Sequence, residues 1–386
     1  MGKPVVYDMD MSSGDFLALL YLLKLPVELI NLKGILVSPT GWATSATVDV
    51  VYDLLHMMGR DDIPVGLGDV FAVGQEHPTF PGISDCKYVK AIPLGSGGLM
   101  DSDTLYGLAR NLPRSPRRYT AENSLKSGAP RDTDHPELRL PSAVDVWKSI
   151  VESLDPGSKI TILTNGPLTN LAKIIHSENS TSVIQEVYIV GGNIDNDTNK
   201  GNVFTVPSNE HAEFNIFLDP LAAKIVFESK LNITLIPLQL QKESVLSVQS
   251  LTSWGPRVEL LSPHFPSACF QGYGNHNRDI VAIIMCLQDI FLGEILGAVI
   301  LGGHSHLNLT YNFKPLKIVA DGDISNVGQI IIDEEQGKPV KVMESVNVAA
   351  YYDHFAEVLR DKNQSAVIGS FQEQEEIWNT PPKQNI

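Results

Sequence analysis

Pro4-Val-Val-Tyr-Asp-Met-Asp10 leads through Ser12-Ser-Gly-Asp15 into Phe16-Leu-Ala-Leu-Leu-Tyr-Leu-Leu-Lys24, and the architecture follows from how this stretch folds. The first run is short, apolar and closed by two acids, as a buried strand is. The second is a long apolar run with Asp15 in its first turn, where a carboxylate offsets the positive end of a helix. The alternation continues outward with a strand at Ile30 to Ser38, a helix near Ala43 to Met58 and a strand at Ile63 to Leu67. It returns with a helix at Ala143 to Leu154, a strand at Lys159 to Thr164, a helix after Leu168 and a strand at Val187 to Val190. Repeated β-α-β units predict an α/β fold: an open, mainly parallel twisted sheet with helices on both faces. Beyond the apolar stretch Leu235 to Leu240 the signal is mixed, and a helical run spans about Asp279 to Leu301. Two late strands, Leu316 to Ala320 and Gln329 to Asp333, read as a small antiparallel extension. Residues 1–386 are expected to form one domain, with a loop-rich insertion over the site at about 69–139. Gly95-Ser-Gly-Gly98, Arg114-Ser-Pro-Arg-Arg118 and Gly128-Ala-Pro-Arg131 break any period there.

The formal charge of −16 argues against a nucleic-acid partner, because release of counterions from a phosphate backbone needs a basic surface. A small molecule or a metal fits better. Cys86, Cys269 and Cys286 are the three cysteines, too far apart for a zinc motif or a disulfide framework. The longest apolar stretches, such as Ile295 to Leu301, fall short of the ~20 residues of a membrane span. With no leader read before the first strand, a soluble protein is expected, placed in the cytoplasm ahead of secretion, with the compartment open. Five N-x-S/T sequons, at Asn179, Asn196, Asn232, Asn308 and Asn363, would matter for a secreted form.

In a strand, residues two apart project to one face, so Asp8 and Asp10 are expected to point together, with Asp15 opening the next helix. Open α/β sheets bind ligands at this carboxyl edge. Three carboxylates gathered there are costly without a cation, and hard oxygen donors favour Ca²⁺ or Mg²⁺. The plainer alternative is that Asp8 and Asp15 merely cap the turn.

Further along, Ile162-Leu-Thr-Asn-Gly-Pro-Leu-Thr-Asn-Leu-Ala172 leaves backbone carbonyls at the same edge. Val190-Gly-Gly192, Gly201-Asn-Val203 and Ala212-Glu-Phe-Asn-Ile-Phe-Leu-Asp-Pro220 follow in order. Together with the opening D-x-D these runs resemble the inosine–uridine-preferring nucleoside hydrolases, from Asp8 to near Asp333, and the plant-type branch with its tandem domains above all. The resemblance implies a Ca²⁺-dependent hydrolase that cuts the N-glycosidic bond of ribonucleosides, with purine nucleosides favoured. It implies that Asp10 and Asp15 hold the cation, that Asp10 takes a proton from the attacking water, and that Asp8 supports them. The carbonyl of Asn165 would complete part of the coordination, its side chain mattering little. Glu213, Asn215 and Asn202 would hold ribose hydroxyls. A nucleoside substrate is the partner implied, with a homo-oligomer or a tandem domain as further ones.

Several positions depart from the family's pattern. Gly14 stands where an aspartate contacts the ribose, Ser38-Pro-Thr-Gly-Trp42 replaces an asparagine, and Leu94 takes the place of a histidine. Gly293-Glu294 aligns with a dipeptide that ends in an Asp ligand, which makes Glu294 the last metal candidate; Asp289 competes for that role, and His304 and His306 are candidate acids. Two other readings stay open. Val5-Val-Tyr-Asp-Met-Asp-Met-Ser12 also resembles the first motif of haloacid-dehalogenase-like phosphatases, although the later acidic pair of that scheme is missing. A degenerate domain that keeps the fold and stabilises a catalytic partner is the second.

Overall fold

The structure is a computed structural model and describes residues 2–40, 45–69, 71–74, 112–118, 141–177, 180–194, 200–203, 206, 208–244 and 292–361. In chain order its elements are β1 (Lys3–Met9), α1 (Ser13–Lys24), β2 (Ile30–Val37), α2 (Ser45–Met57), β3 (Val65–Leu67) and α3 (Ala143–Glu152). Then come β4 (Ile160–Thr164), α4 (Thr169–His176), α5 (Ser180–Val183), β5 (Ile184–Val190), α6 (Phe214–Leu218), α7 (Pro220–Glu228), β6 (Ile233–Ile236) and α8 (Leu238–Ser244). The last are α9 (Leu296–Gly302), β7 (Thr310–Ile318), β8 (Ile330–Ile332), β9 (Lys338–Ser345) and α10 (Val348–Arg360).

All the strands share one nine-stranded sheet in the order β3-β2-β1-β4-β5-β6-β9-β7-β8. The run from β3 to β9 is parallel. At the far edge β7 pairs antiparallel with both β9 and β8. The late strands therefore extend the main sheet. They reach it through β9, which the sequence reading did not anticipate. The apolar stretch at Leu235 splits differently from its appearance: β6 ends at Ile236, and Leu238 already opens α8.

Helices cover both faces. α1, α2, α9 and α10 bury Tyr7, Met9, Ile35 and Val37 on one side. On the other, α3, α4 and α7 pack against Val6, Leu36, Ile162, Val187 and Leu235. α1 is apolar nearly all round because it lies between the sheet, α9 and α10, the situation in which a helix needs no polar face. Ser12 caps it in a reciprocal box with Asp15, and Leu25 and Pro26 end it. No described helix is long and apolar enough to cross a membrane.

Of the stretch 69–139, residues 69, 71–74 and 112–118 are described. The first of these follow the carboxyl end of β3, where Asp69 accepts from Lys173 of α4 at 2.8 Å and the Val73 amide donates to Asp219 at 2.9 Å, while 112–118 lie elsewhere. Buried Asp53 of α2 accepts from the Ser115 amide at 2.8 Å and from Arg114 Nη1 at 3.0 Å, and also bonds Arg118. Arg117 Nη1 donates to the Ile63 carbonyl at 2.8 Å, on the turn before β3, so the segment sits at the amino end of that strand. Gly95–Gly98, Gly128–Arg131, Leu94 and Asp289 lie outside the described residues, as does the helical run before Leu292.

Candidate active site

Chain order reverses between β1 and β4: β2 and β3 lie on one side of β1, and β4 to β6 continue on the other. The crevice at the carboxyl ends of these two strands is the place where an open α/β sheet takes its ligand. Asp8 lies at the end of β1 with Asp10 just beyond it, and Asn165 follows the end of β4, its amide donating to the Asp8 carbonyl at 2.8 Å.

The two aspartates do not share one set of partners. β1 stops at Met9, and Met11 turns the chain with a left-handed φ of 55°. Asp10 thereby joins Asp15 in a hydrogen bond, while Asp8 faces Ser38 and Asn170. Asp8 Oδ1 accepts from Ser38 Oγ at 3.1 Å and from Asn170 Nδ2 at 3.0 Å, and Oδ2 is buried with no partner. Burial pushes the Asp8 carboxyl up to about 7, against the pull of those two donors. On the opposite side of the strand, Asp15 Oδ1 accepts from the Tyr7 hydroxyl and from Asn165 Nδ2, both at 2.8 Å. Burial raises Asp15 as well, although Asp10, Tyr7, Asn165 and the Ser12 amide all supply bonds that oppose it.

Asn165 ties the site together. Its Nδ2 also lies 3.0 Å from the Tyr7 oxygen and 3.0 Å from the Glu294 carbonyl, and its own carbonyl accepts from Asn215 Nδ2 at 2.9 Å. The side chain at 165 matters, contrary to the expectation that only its carbonyl would count. Glu294 enters from the short 3₁₀ turn Leu292–Ile295 that leads into α9, and its carboxylate accepts from Ser12 Oγ.

Glu213 and Asn215 are buried at the start of α6. Glu213 caps that helix: Oε1 accepts from the Asn215 amide at 3.0 Å, and Oε2 from Ile216 at 3.3 Å and from Gly192 at 2.8 Å. Gly192 has a φ of 78°, which a residue without a Cβ adopts freely, and so turns its amide toward the carboxylate. Burial raises the Glu213 carboxyl despite these three donors. Asn202 reaches the same helix start, its Oδ1 accepting from the Phe214 amide at 2.7 Å. All eight residues singled out in the sequence thus fall in one connected set.

His304 and His306 do not belong to it. They follow the far end of α9, whose last residue, Gly302, lies about 12 Å along the helix axis from Glu294. The His304 ring stacks on His354 of α10, centroids 4.1 Å apart. Sequence reasoning missed Tyr7, Ser12, Ser38 and Asn170. Tyr7 and Ser12 stand next to the acids in sequence, whereas Ser38 and Asn170 lie in runs quoted for other reasons and reach Asp8 only when β2 and β4 pair with β1.

Asp8, Asp10, Asp15 and Glu213 are all at most 4% exposed, and three buried acceptors near them, Asp8 Oδ2, Asn165 Oδ1 and Asn215 Oδ1, have no hydrogen-bond partner. Oxygen donors alone, several of them negative, fit a hard divalent cation. Among the described residues no three His, Cys, Asp or Glu side chains make a metal-binding group by themselves, so a cation here would draw on amide and main-chain oxygens too.

The profile of the inosine-uridine preferring nucleoside hydrolases matches residues 5–353. The chain belongs to this family. It is 58% identical to Nucleoside hydrolase 4 of Arabidopsis thaliana over 99% of its own length and 69% of that protein. To Nucleoside hydrolase 3 of the same plant it is also 58% identical, over 99% of its length but only 43% of the relative's. Among solved structures, a plant nucleoside hydrolase superposes with a TM-score of 0.64 at 20% identity, covering 94% of this chain and all of that one. The fold is thus that of the nucleoside hydrolases, and as a family member the chain is a hydrolase acting on N-glycosyl bonds.

Proposed function

We propose that the chain hydrolyses the N-glycosidic bond of ribonucleosides to free base and ribose, that it depends on Ca²⁺, and that purine nucleosides such as inosine, adenosine or xanthosine rank ahead of uridine. The observation that carries the reading is the meeting of Asp8, Asp10, Asp15 and Asn165 at the β1/β4 crevice, with unpartnered acceptor oxygens around them. The order of the bases rests on the family resemblance alone.

Asp10, Asp15 and Asn165 would hold the cation, with Asp8 in support. When bound, such a cation lowers the pKa of a water and orients it. Asp10 takes the proton from the attacking water. As the base leaves, positive charge grows on the ribose, and the surrounding carboxylates stabilise it in a site where burial strengthens their field. Asn215 and Glu213 orient the sugar, Glu213 from a position already fixed by three main-chain amides. That commitment of Glu213, together with Asn202's bond to the Phe214 amide, is what favours the second reading, a domain that keeps the scaffold and stabilises a partner.

Base release from inosine, adenosine, xanthosine and uridine, measured with and without a Ca²⁺ chelator, separates the two. Turnover that is abolished by the chelator and falls by about 10²–10⁴-fold in Asp10→Asn is the expected result. Absence of turnover from every nucleoside, with Ca²⁺ still raising the melting temperature, would transfer the chain to the second reading.

A further inference from the structure

The parallel sheet has a second concavity at its amino edge, the end opposite the crevice. Lys3 opens β1 there, about 17 Å along the strand from Asp8. A cavity of about 440 Å³ is bordered by the amino ends of β1, β2, β4 and β5 and by the turn 153–159 that joins α3 to β4. Two breaks of strand register fall on its rim. Val5 pairs with Leu32 but Val6 with Gly34, and Ile160 pairs with Ile184 but Thr161 with Glu186, so Lys33 and Gln185 are each one residue extra. The insertions keep each apolar series on its own face: Ile30 and Leu32 before Lys33 share a core with Ile35 and Val37 after it, as Ile184 does with Val187 and Ile189 across Gln185. Such insertions are rare between parallel strands and re-aim the chain where they occur. Here both extra residues border the same cavity.

Lys3, Lys33 and Lys159 reach this cavity from β1, from β2 and from the approach to β4. Among the described residues none of the three is paired with a carboxylate, although the chain carries 45 acids against 29 lysines and arginines. Elsewhere Lys173 and Lys317 find Asp69 and Asp333, at 2.8 and 3.2 Å. Ammonium groups gathered round one space repel one another, and an anion between them turns that repulsion into attraction. The remaining rim narrows the ligand. Asp155 and Glu186 repel an anion laid against them but accept from hydroxyls. The volume is that of a small-molecule site, more than a bare phosphate fills.

We propose that the amino-edge cavity is a second binding site, separate from the crevice, for a small phosphomonoester that carries hydroxyl groups, with its phosphate among Lys3, Lys33 and Lys159 and its hydroxyls toward Asp155 and Glu186. The site shares no residue with the crevice, so it stands whether or not the crevice cleaves nucleosides.

The test titrates ribose 5-phosphate and inorganic phosphate by calorimetry, at low ionic strength, into the full chain and into Lys33→Ala, Lys159→Ala and Asp10→Asn, with a circular-dichroism melt of each. Ribose 5-phosphate should bind the wild type, and inorganic phosphate about tenfold more weakly because it leaves the hydroxyl acceptors unused. Each lysine variant should weaken ribose 5-phosphate about tenfold, through loss of a charge-assisted bond. Asp10→Asn alters the crevice alone, so the lysine-dependent binding should persist in it. No binding of ribose 5-phosphate by the wild type, or affinity unchanged in Lys33→Ala or Lys159→Ala, would overturn the proposal. Binding that disappears in Asp10→Asn would place the ligand in the crevice and overturn it too. Inorganic phosphate bound as tightly as ribose 5-phosphate would overturn the choice of ligand and leave a site for the bare anion. Lys159 is exposed, so Lys159→Ala keeps the test open should Lys33→Ala fail to fold.

Discussion

Asn165 shows how much of the site depends on one amide. Its Nδ2 meets Tyr7, Asp15 and the Glu294 carbonyl, while its carbonyl holds Asn215, so three elements and the segment leading into α9 converge on it. Replacement by Ala strips Asp15 of a donor inside a buried site. It should cost about 2–4 kcal/mol in urea denaturation and reduce turnover further than the lost stability explains. A variant that melts within the scatter of wild type would refute this. The acids at 8, 10 and 15 were legible because a strand followed by a helix places its last residues at a predictable edge. Tyr7, Ser38 and Asn170 were not: a tyrosine in an apolar strand reads as core, and Ser38 and Asn170 come to Asp8 from 30 and 162 residues away. Met11 was equally hidden, since only the structure reveals the left-handed turn that separates Asp10 from Asp8.

At the scale of elements, the segment 112–118 hangs on α2 through Asp53. The guanidinium of Arg114 is largely exposed and contributes little, so most of the anchoring falls to the Ser115 amide and to Arg118. Asp53→Ala should destabilise by about 2 kcal/mol and speed proteolysis within 112–118 before the sheet itself is cut. α10 offers a second case. His354 Nε2 and the Tyr21 hydroxyl share a hydrogen bond at 3.0 Å, its ring stacks on His304, and burial, followed by the neighbouring His304, holds its imidazole below the ordinary value of 6.5. The folded state resists the proton. Stability from this packing is therefore present above about pH 6.5 and is lost as pH falls through that value toward the lower folded-state pKa. The melting temperature should drop over that window, and His354→Gln should flatten the drop; equal slopes for both proteins would disprove the link. The sequence reading passed over α10, although Asn347 caps it and Tyr351, Tyr352, Phe355 and Leu359 recur at helical spacing; β9 was the harder case. Lys338-Pro-Val-Lys-Val-Met-Glu-Ser345 carries a proline and charged residues that mark it as a loop by composition, and only pairing with β6 and β7 makes it a strand.

For the molecule as a whole, the gathering of buried carboxylates and unpartnered acceptors at one crevice predicts a specific linkage. Ca²⁺ at about a hundred times its dissociation constant should add about 3 kcal/mol to the stability, read as a rise in melting temperature, and Asp15→Asn should abolish the rise. An equal rise in both proteins would place the cation elsewhere. The parallel sheet was legible in the regular β-α alternation, and its antiparallel margin in two short apolar runs; how the margin joins the rest was not, because the joining strand, the last of those described, follows both of them in the chain. β9 lies between β6 and β7, so the sheet has a gap until the segment ending at Ser345 is in place. A nascent chain stalled short of that residue would carry β7 and β8 as an undocked hairpin and leave the edge of β6 open to any passing strand. Synthesis and folding are thereby set out of step: the strands that flank the crevice emerge early, yet the margin beside them stays unsealed until translation of this region is nearly finished.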